Sequence, residues 1–276
     1  MKRTFKKIML ASTVIAFLVS CSKTETNPAS NPGSSTDPSS GRSFIELRGA
    51  ADKWQAASNR LNPVDSIGLQ HNLSLSYILQ KTTYEKLNNA DSVYAQSFAY
   101  GNQRFGAAAN AFKPLFTVTQ LSAFYRGAEA AVPTTSSLLD MTGLTGVSRD
   151  YLGRIITYLY NQNTAGLPVE SIKQQIVSWE AGIASLNITS RERIALYAFG
   201  STARYSLYAW VDAVYPGNPG GHITLQRLGL FGWIATVTCD AVGGTLGAIA
   251  GGPVGGVIAG AAFSGGVALI SRYNGW

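Results

Sequence analysis

Charge is scarce in this sequence. Only 13% of its 276 residues are Asp, Glu, Lys or Arg, about half the share usual in soluble proteins. The surface must therefore rely on Ser, Thr, Asn, Gln and Tyr. The formal net charge of +7 overstates the basicity, because Lys2, Arg3, Lys6 and Lys7 crowd the N-terminus. Without them 18 basic residues face 15 acidic ones, a balance of +3. No basic run with interleaved aromatics remains, which argues against nucleic acid as a partner.

Histidine and cysteine are scarcer still, two of each: His71 and His222, Cys21 and Cys239. No HExxH, CxxC or Asp-rich calcium loop occurs, so no metal site is expected. Neither the dinucleotide fingerprint nor the P-loop is present, and no cofactor is expected. Cys239 lies in the apolar stretch "WIATVTCDAV", which predicts a buried, inert thiol. No nucleophile elbow surrounds it. Runs of strictly alternating apolar residues are also absent, which excludes a sheet.

What is present begins with "MKRTFKKIMLASTVIAFLVSC". A basic start followed by an apolar stretch from Ile8 to Val19, too short for a comfortable membrane span, reads as a signal peptide over residues 1–20. Its end, Leu18-Val19-Ser20-Cys21, resembles the lipobox of bacterial lipoproteins. The resemblance implies cleavage before Cys21 and acylation there, making the membrane a partner through lipid at Cys21. It leaves Cys239 without a disulfide partner. Ser22 is similar to the outer-membrane sorting position of enterobacterial lipoproteins, and Lys23 and Glu25 resemble export signals of surface lipoproteins in the Bacteroidetes. The expected location is the outer membrane of a bacterial envelope. Residues 21–42, rich in Ser, Pro, Thr and Asn, form a disordered tether.

The body, residues 43–240, reads as helical. Phe44, Leu47, Ala51, Trp54 and Leu61 fall on one helical face that Asn62-Pro63 closes. Asp65 or Ser66 then caps a helix whose apolar face includes Ile67, Leu69, Leu73, Leu75, Ile78 and Leu79. A helix from about Asp91 to Lys113 is expected before Pro114. The turn-rich stretch from Val132 to Gly146 is expected as a long connection or subdomain boundary. Ser148 caps a further helix, and Pro168 and Glu170 open another. Thr189 and Glu192 have capping-box spacing. Pro216 to Gly221 forms a turn. The expected fold is all-α, a bundle of about eight to ten helices.

Three sets of side chains are candidates for chemistry. His71 and Asn72 form a candidate polar site, although burial in the core is the better-supported reading. The tyrosines Tyr151, Tyr158 and Tyr160, and Tyr197, Tyr205 and Tyr208, suit a bundle rim better than a binding groove. The scattered carboxylates are expected mainly as caps. Asp65-Ser66-Ile67 and Asp91-Ser92-Val93 resemble an O-glycosylation motif of the Bacteroidetes, making Ser66 and Ser92 candidate modification sites.

Residues 241–276 are the most unusual segment. Ala241 to Ile270 carries no charge and holds ten Gly and seven Ala. Gly243, Gly247, Gly251 and Gly255 form one row at four-residue steps, and Gly252, Gly256 and Gly260 a second. Such rows let helix backbones approach closely. Pro253 predicts a hinge rather than one straight helix. The segment resembles glycine-zipper regions of outer-membrane lipoproteins and of bacteriocin-like hairpins, which implies close helix packing, self-association or an envelope protein partner. The leading expectation is a non-catalytic envelope lipoprotein with a structural or interaction role. The alternatives are a membrane-active effector that inserts the hairpin, and a solute-binding or hydrolytic lipoprotein with a Tyr-lined cleft.

Overall fold

The structure is a computed structural model that describes residues 54–81, 90–130, 133–161, 164, 167–214 and 232–273. Contacts divide the chain between Arg42 and Ser43, and every described residue belongs to the second unit, Ser43–Trp276. The expected signal segment, Cys21, the expected tether, Phe44, Leu47, Ala51, the turn expected at 216–221 and His222 lie outside the described residues.

Nine α-helices and no strand occur among those residues. After a short 3-10 turn at Gln55–Ala57 come α1 (Ser66–Lys81), α2 (Ala90–Phe105), α3 (Ala107–Asn110), α4 (Val118–Ala130) and α5 (Thr135–Thr142). Then follow α6 (Gly146–Leu159), α7 (Val169–Gly182), α8 (Ser190–Val214) and α9 (Gly232–Tyr273). The fold is an all-α multi-helix bundle.

The last helix organises the rest. It breaks at Gly251 (φ −143°, ψ 23°) and Gly252 (φ 62°, ψ −149°), where the chain reverses. The positive φ at Gly252 is a conformation that a side chain resists. Pro253 follows at once, at the start of the second leg, where its missing N–H costs nothing. The two legs, 232–250 and 253–273, lie antiparallel with glycine between them. A Cβ on Gly247 would fall on the Gly255 carbonyl oxygen, and one on Gly255 would fall on that of Gly247. A Cβ on Gly243 would sit 2.7 Å from Phe263 Cβ, and one on Gly256 3.2 Å from the Gly244 oxygen.

The same hairpin is the centre of the bundle. Helix α8 packs along it most extensively, and α1 and α2 follow. The outer faces of its glycines receive the body: Phe112 at Gly251, Ile67 at Gly256, His71 at Gly260, Val93 at Gly265 and Tyr125 at Gly266. Phe263 is clamped between Phe116 and Phe124, ring centroids 5.0 Å from each. Tyr125 donates to the Ala262 carbonyl and Ser97 to that of Ile258 (2.5 Å), so backbone as well as side chains tie the second leg down.

Several expectations are corrected. Trp54 to Leu61 is no helix. Trp54 is buried beside a 3-10 turn, Ser58 is extended, and Leu61 is 82% exposed. The Asn62 carboxamide explains the departure, since Oδ1 accepts from Val64 N (2.9 Å) while Nδ2 reaches the Tyr197 carbonyl (2.9 Å), fixing a turn. The helix expected through Lys113 ends at Phe105, because Gly106 takes φ 55°. Thr135–Thr142 is a helix rather than a connection, opened by Thr134, whose Oγ1 accepts from Ser137 N (3.2 Å), and closed by Gly143 at φ 65°. No subdomain boundary lies there. Ser148 is inside α6, whose N-cap position is Thr145. The boundary drawn at residue 240 falls within the first leg. The Thr189–Glu192 capping box is formed, with Glu192 N donating to Thr189 Oγ1 (3.2 Å) and Thr189 N donating to Glu192 Oε2 (2.9 Å).

Candidate functional site

Most polar side chains of this chain should be on its surface, yet two clusters are sealed inside. The first centres on Arg204 of α8, which is fully buried. Its Nε and Nη2 donate to Glu180 Oε2 and Oε1, both at 3.0 Å, and Nη2 also reaches Asp65 Oδ1 at 2.5 Å. Nη1 donates to the Ala57 carbonyl. Asn59 and Asn62 each donate to Glu180 at 2.6 Å. Burial pushes the Glu180 carboxyl up, with Arg204, Asn59 and Asn62 pulling against it. Burial also works against the guanidinium charge, but Glu180 and Asp65 outweigh it and hold Arg204 above its ordinary value. Gly200 makes room, because a Cβ there would collide with the Glu180 carboxylate.

The expectation that carboxylates serve mainly as caps is therefore corrected for Glu180 and Asp65. Asp65 spends its carboxylate on Arg204, on Asn59 N (3.1 Å) and on the Tyr205 hydroxyl (3.4 Å). Ser66, the alternative cap and candidate modification site, is exposed at the start of α1, while Ser92 is half-buried in α2.

The second cluster joins the hairpin to α1 and α8. His71 is fully buried and Asn72 nearly so. His71 Nδ1 faces Asn72 Oδ1 at 3.0 Å and Nε2 faces Ser264 Oγ at 2.5 Å. Asn72 Nδ2 donates to the Tyr205 carbonyl at 2.8 Å, which leaves its Oδ1 to accept the Nδ1 proton, and the one Ser264 hydroxyl proton has the Gly260 carbonyl (2.9 Å) and the bare Nε2 as its two acceptors. Across the hairpin, Asp240 Oδ2 accepts from Ser206 Oγ and from Trp210 Nε1 (3.0 Å), while Oδ1 accepts nothing. Burial pushes the Asp240 carboxyl up, against the pull of His71 and the donors around it. Burial also pushes His71 down. Both shifts favour the neutral forms, as expected where no water solvates a charge.

A serine hydroxyl facing an imidazole is the pair that activates a nucleophile in acyl transfer. Here it is enclosed. Ser264, His71 and Asp240 are fully buried, and a surface groove of about 520 Å³ involves none of them, being lined by Thr135, Leu139, Arg149, Asp150, Arg154 and Thr157. Cys239 is buried and free, its thiol pushed up by burial, which keeps it from reacting as a thiolate. Tyr197, Tyr205 and Tyr208 are buried, Tyr208 donating to Glu170 Oε2 at 2.5 Å. Tyr151 stacks on Trp179 at 5.3 Å. No cluster of three or more potential metal ligands occurs among the described residues.

A pH experiment tests the neutral state of Asp240. A carboxyl whose native value is raised contributes stability that is complete below its unfolded value and is lost as pH rises through the native one. Asp240→Asn removes that loss. Its urea stability relative to the parent chain should therefore improve from pH 5 to pH 8, with a cost within about 1 kcal/mol at pH 5. Asp240→Leu strands Ser206 and Trp210 and should cost about 1–3 kcal/mol for each orphaned donor.

Sequence reasoning singled out His71 and Asn72, but not Ser264, Asp240, Glu180 or Arg204. Comparison of the chain with protein-family models, with curated proteins and with solved structures returns no match.

Proposed function

We propose that this chain is a non-catalytic lipoprotein of the bacterial envelope: lipid at Cys21 holds it, the tether gives reach, and the helical body is a scaffold that presents an interaction surface. The observation that carries the reading is the integration of the hairpin into its own body. The glycine rows meet each other, Phe112 and α1, and the neighbouring Gly244, Gly265 and Gly266 meet α8, α2 and α4, so the hairpin glycines serve packing within the chain rather than assembly between chains. The sealed His71–Ser264 pair speaks against a hydrolytic role, because substrate has no route to it.

The membrane-active alternative draws on one observation: residues 235–266 are apolar and long enough to cross a membrane by length and composition. The cost of insertion weighs against it. Asp240 would give up Ser206 and Trp210 for lipid, which offers its carboxyl no hydrogen-bond donor in their place. Ser264 and the carbonyls of Ile258 and Ala262 would also lose His71, Ser97 and Tyr125.

Labelling cells that express the full chain with radioactive palmitate, followed by density fractionation, tests the reading. Label in the outer-membrane fraction is expected, with its complete loss in Cys21→Ser. Label that persists in Cys21→Ser, or none in either chain, overturns it. Release of dye from liposomes by the unlipidated chain would favour the inserting alternative instead.

A further inference from the structure

The polar cluster that fastens the hairpin to α1 and α8 contains two groups that titrate. His71 on α1 and Asp240 on the first leg are fully buried, and Ser264 of the second leg serves both. Its Oγ stands 2.5 Å from His71 Nε2, and its hydroxyl favours an ionised Asp240. One proton fits this cluster in two ways. Placed on Asp240, it sits on Oδ1, because Oδ2 already accepts from Ser206 and Trp210. Placed on His71, it makes Nε2 a donor to Ser264 Oγ, and the serine proton turns to the Gly260 carbonyl at 2.9 Å. Both arrangements leave the cluster without net charge. A second proton strands an imidazolium beside a neutral acid, and loss of the only proton strands a carboxylate beside a neutral ring. Each buries a charge that nothing balances.

The charge that acts on His71 is that of Asp240. Lys81 on α1, Asp91 and Arg104 on α2, Arg126 on α4, Asp140 on α5, and Asp150 and Arg154 on α6 are exposed. Arg149 is spent on Asp140. On α8 the buried Arg204 is turned to Glu180 and Asp65, Glu192 to Ser148 and Thr189, and Arg193 to the Ala184 and Leu186 carbonyls. Arg191 is exposed at the far end of the hairpin, on the Ile249 carbonyl. Burial holds the Cys239 thiol and the Tyr160 phenol neutral.

We propose that His71, Ser264 and Asp240 form a proton-conserving latch across the hairpin seam, closed most tightly in mild acid and loosened when its proton is lost or a second is taken up. In the closed seam burial raises Asp240 and lowers His71, so the proton stays on the carboxyl. In an open, hydrated seam it moves to the ring, because carboxyls ionise at about pH 4 and imidazoles at about pH 6.5. Between those values closing transfers one proton and binds none, so closure is indifferent to pH. Above them the open seam has shed its proton and closing must recover one; below them it holds two and closing must expel one. Closure therefore weakens in both directions, by at most about tenfold per pH unit for each proton. The latch belongs to the body alone and does not depend on lipid at Cys21.

Cys239, adjoining Asp240 and 1% exposed, reports the opening. In the full chain carrying Cys21→Ser it is the sole thiol. Its rate of reaction with dithiodipyridine, divided by that of the urea-unfolded chain at the same pH, gives the open fraction. Asp240→Asn should open up to about tenfold more per unit as pH falls from about 6.5 to about 4, because its ring closes only by giving up a proton. His71→Gln should open up to about tenfold more per unit as pH rises over the same range, because its carboxyl closes only by taking one up. The double variant should run parallel to the parent. Circular dichroism at pH 5 checks that each variant is folded, and if His71→Gln is not, Asp240→Asn against the parent decides alone. Parallel profiles for Asp240→Asn and the parent, slopes of one sign in both single variants, or a folded double variant that departs from the parent's slope each overturn the latch.

Discussion

Gly247→Leu should abolish cooperative folding. A Cβ on Gly247 would overlap the Gly255 carbonyl oxygen, and a carbonyl inside a helix has no rotamer to give way. Overpacking that neighbouring side chains absorb costs about 1–3 kcal/mol. Here the antiparallel legs must separate. That movement would also pull Ser264 from His71 and Phe263 from the rings of Phe116 and Phe124. The combined cost should exceed about 5 kcal/mol, a large fraction of the stability of an ordinary domain. Gly127 in α4 supplies the contrast, because nothing lies within 4 Å of a Cβ built there and its φ is not positive. Gly127→Ala should stabilise the chain by up to about 1 kcal/mol through helix propensity. Thermal melts by circular dichroism would separate the two. A cooperative melt for Gly247→Leu within a few degrees of the parent would remove the hairpin from the core.

The contrast also marks what the sequence could reveal. Glycines at four-residue steps with a proline after the seam announce close helix contact and a reversal, because both follow from local covalent geometry. The capping box at Thr189 and Glu192 is legible for the same reason, its two hydrogen bonds spanning three residues. The helix α5 was obscured because Thr134 and Gly143 read as turn residues, although each is also an ordinary helix terminus. Leu61 fits a helical face by spacing, yet the Asn62 carboxamide fixes a turn by bonding to Tyr197, 135 residues away. The interior polar clusters were the least visible. Arg204 meets Glu180 across 24 residues and Asp65 across 139, and His71 meets Ser264 across 193. A lone Arg or Asp on a helix looks the same in sequence whether water or a carboxylate receives it. The one local trace is the small Gly200, four residues before Arg204, whose missing side chain the Glu180 carboxylate occupies.

Arg204→Met should be the second most damaging single change, and its cost should depend on pH. Removing the guanidinium leaves Glu180 buried with only Asn59 and Asn62 as donors, and strips Asp65 of its cation. Breaking a buried pair from one side costs about 3–5 kcal/mol, much of it from the charge left behind. Without Arg204 to pull it back, burial pushes Glu180 further above the ordinary carboxylate range. A carboxyl raised in the native state contributes stability that is complete below its unfolded value and is lost as pH rises through the native one. The variant should therefore approach the parent at pH 5, where the native carboxyl takes up a proton, and show its full deficit at pH 8. Urea unfolding at both values reads this directly. Glu180→Leu in the same background removes the stranded charge, so the double variant should cost less than the two single changes added together. Adjacent charges in one network couple in this way, whereas independent sites add. An equal deficit at pH 5 and pH 8, together with strict additivity, would mean that Arg204 supports the bundle through side-chain packing, its guanidinium carbon lying 5.9 Å from the Tyr205 ring centroid, rather than by holding a charge for Glu180.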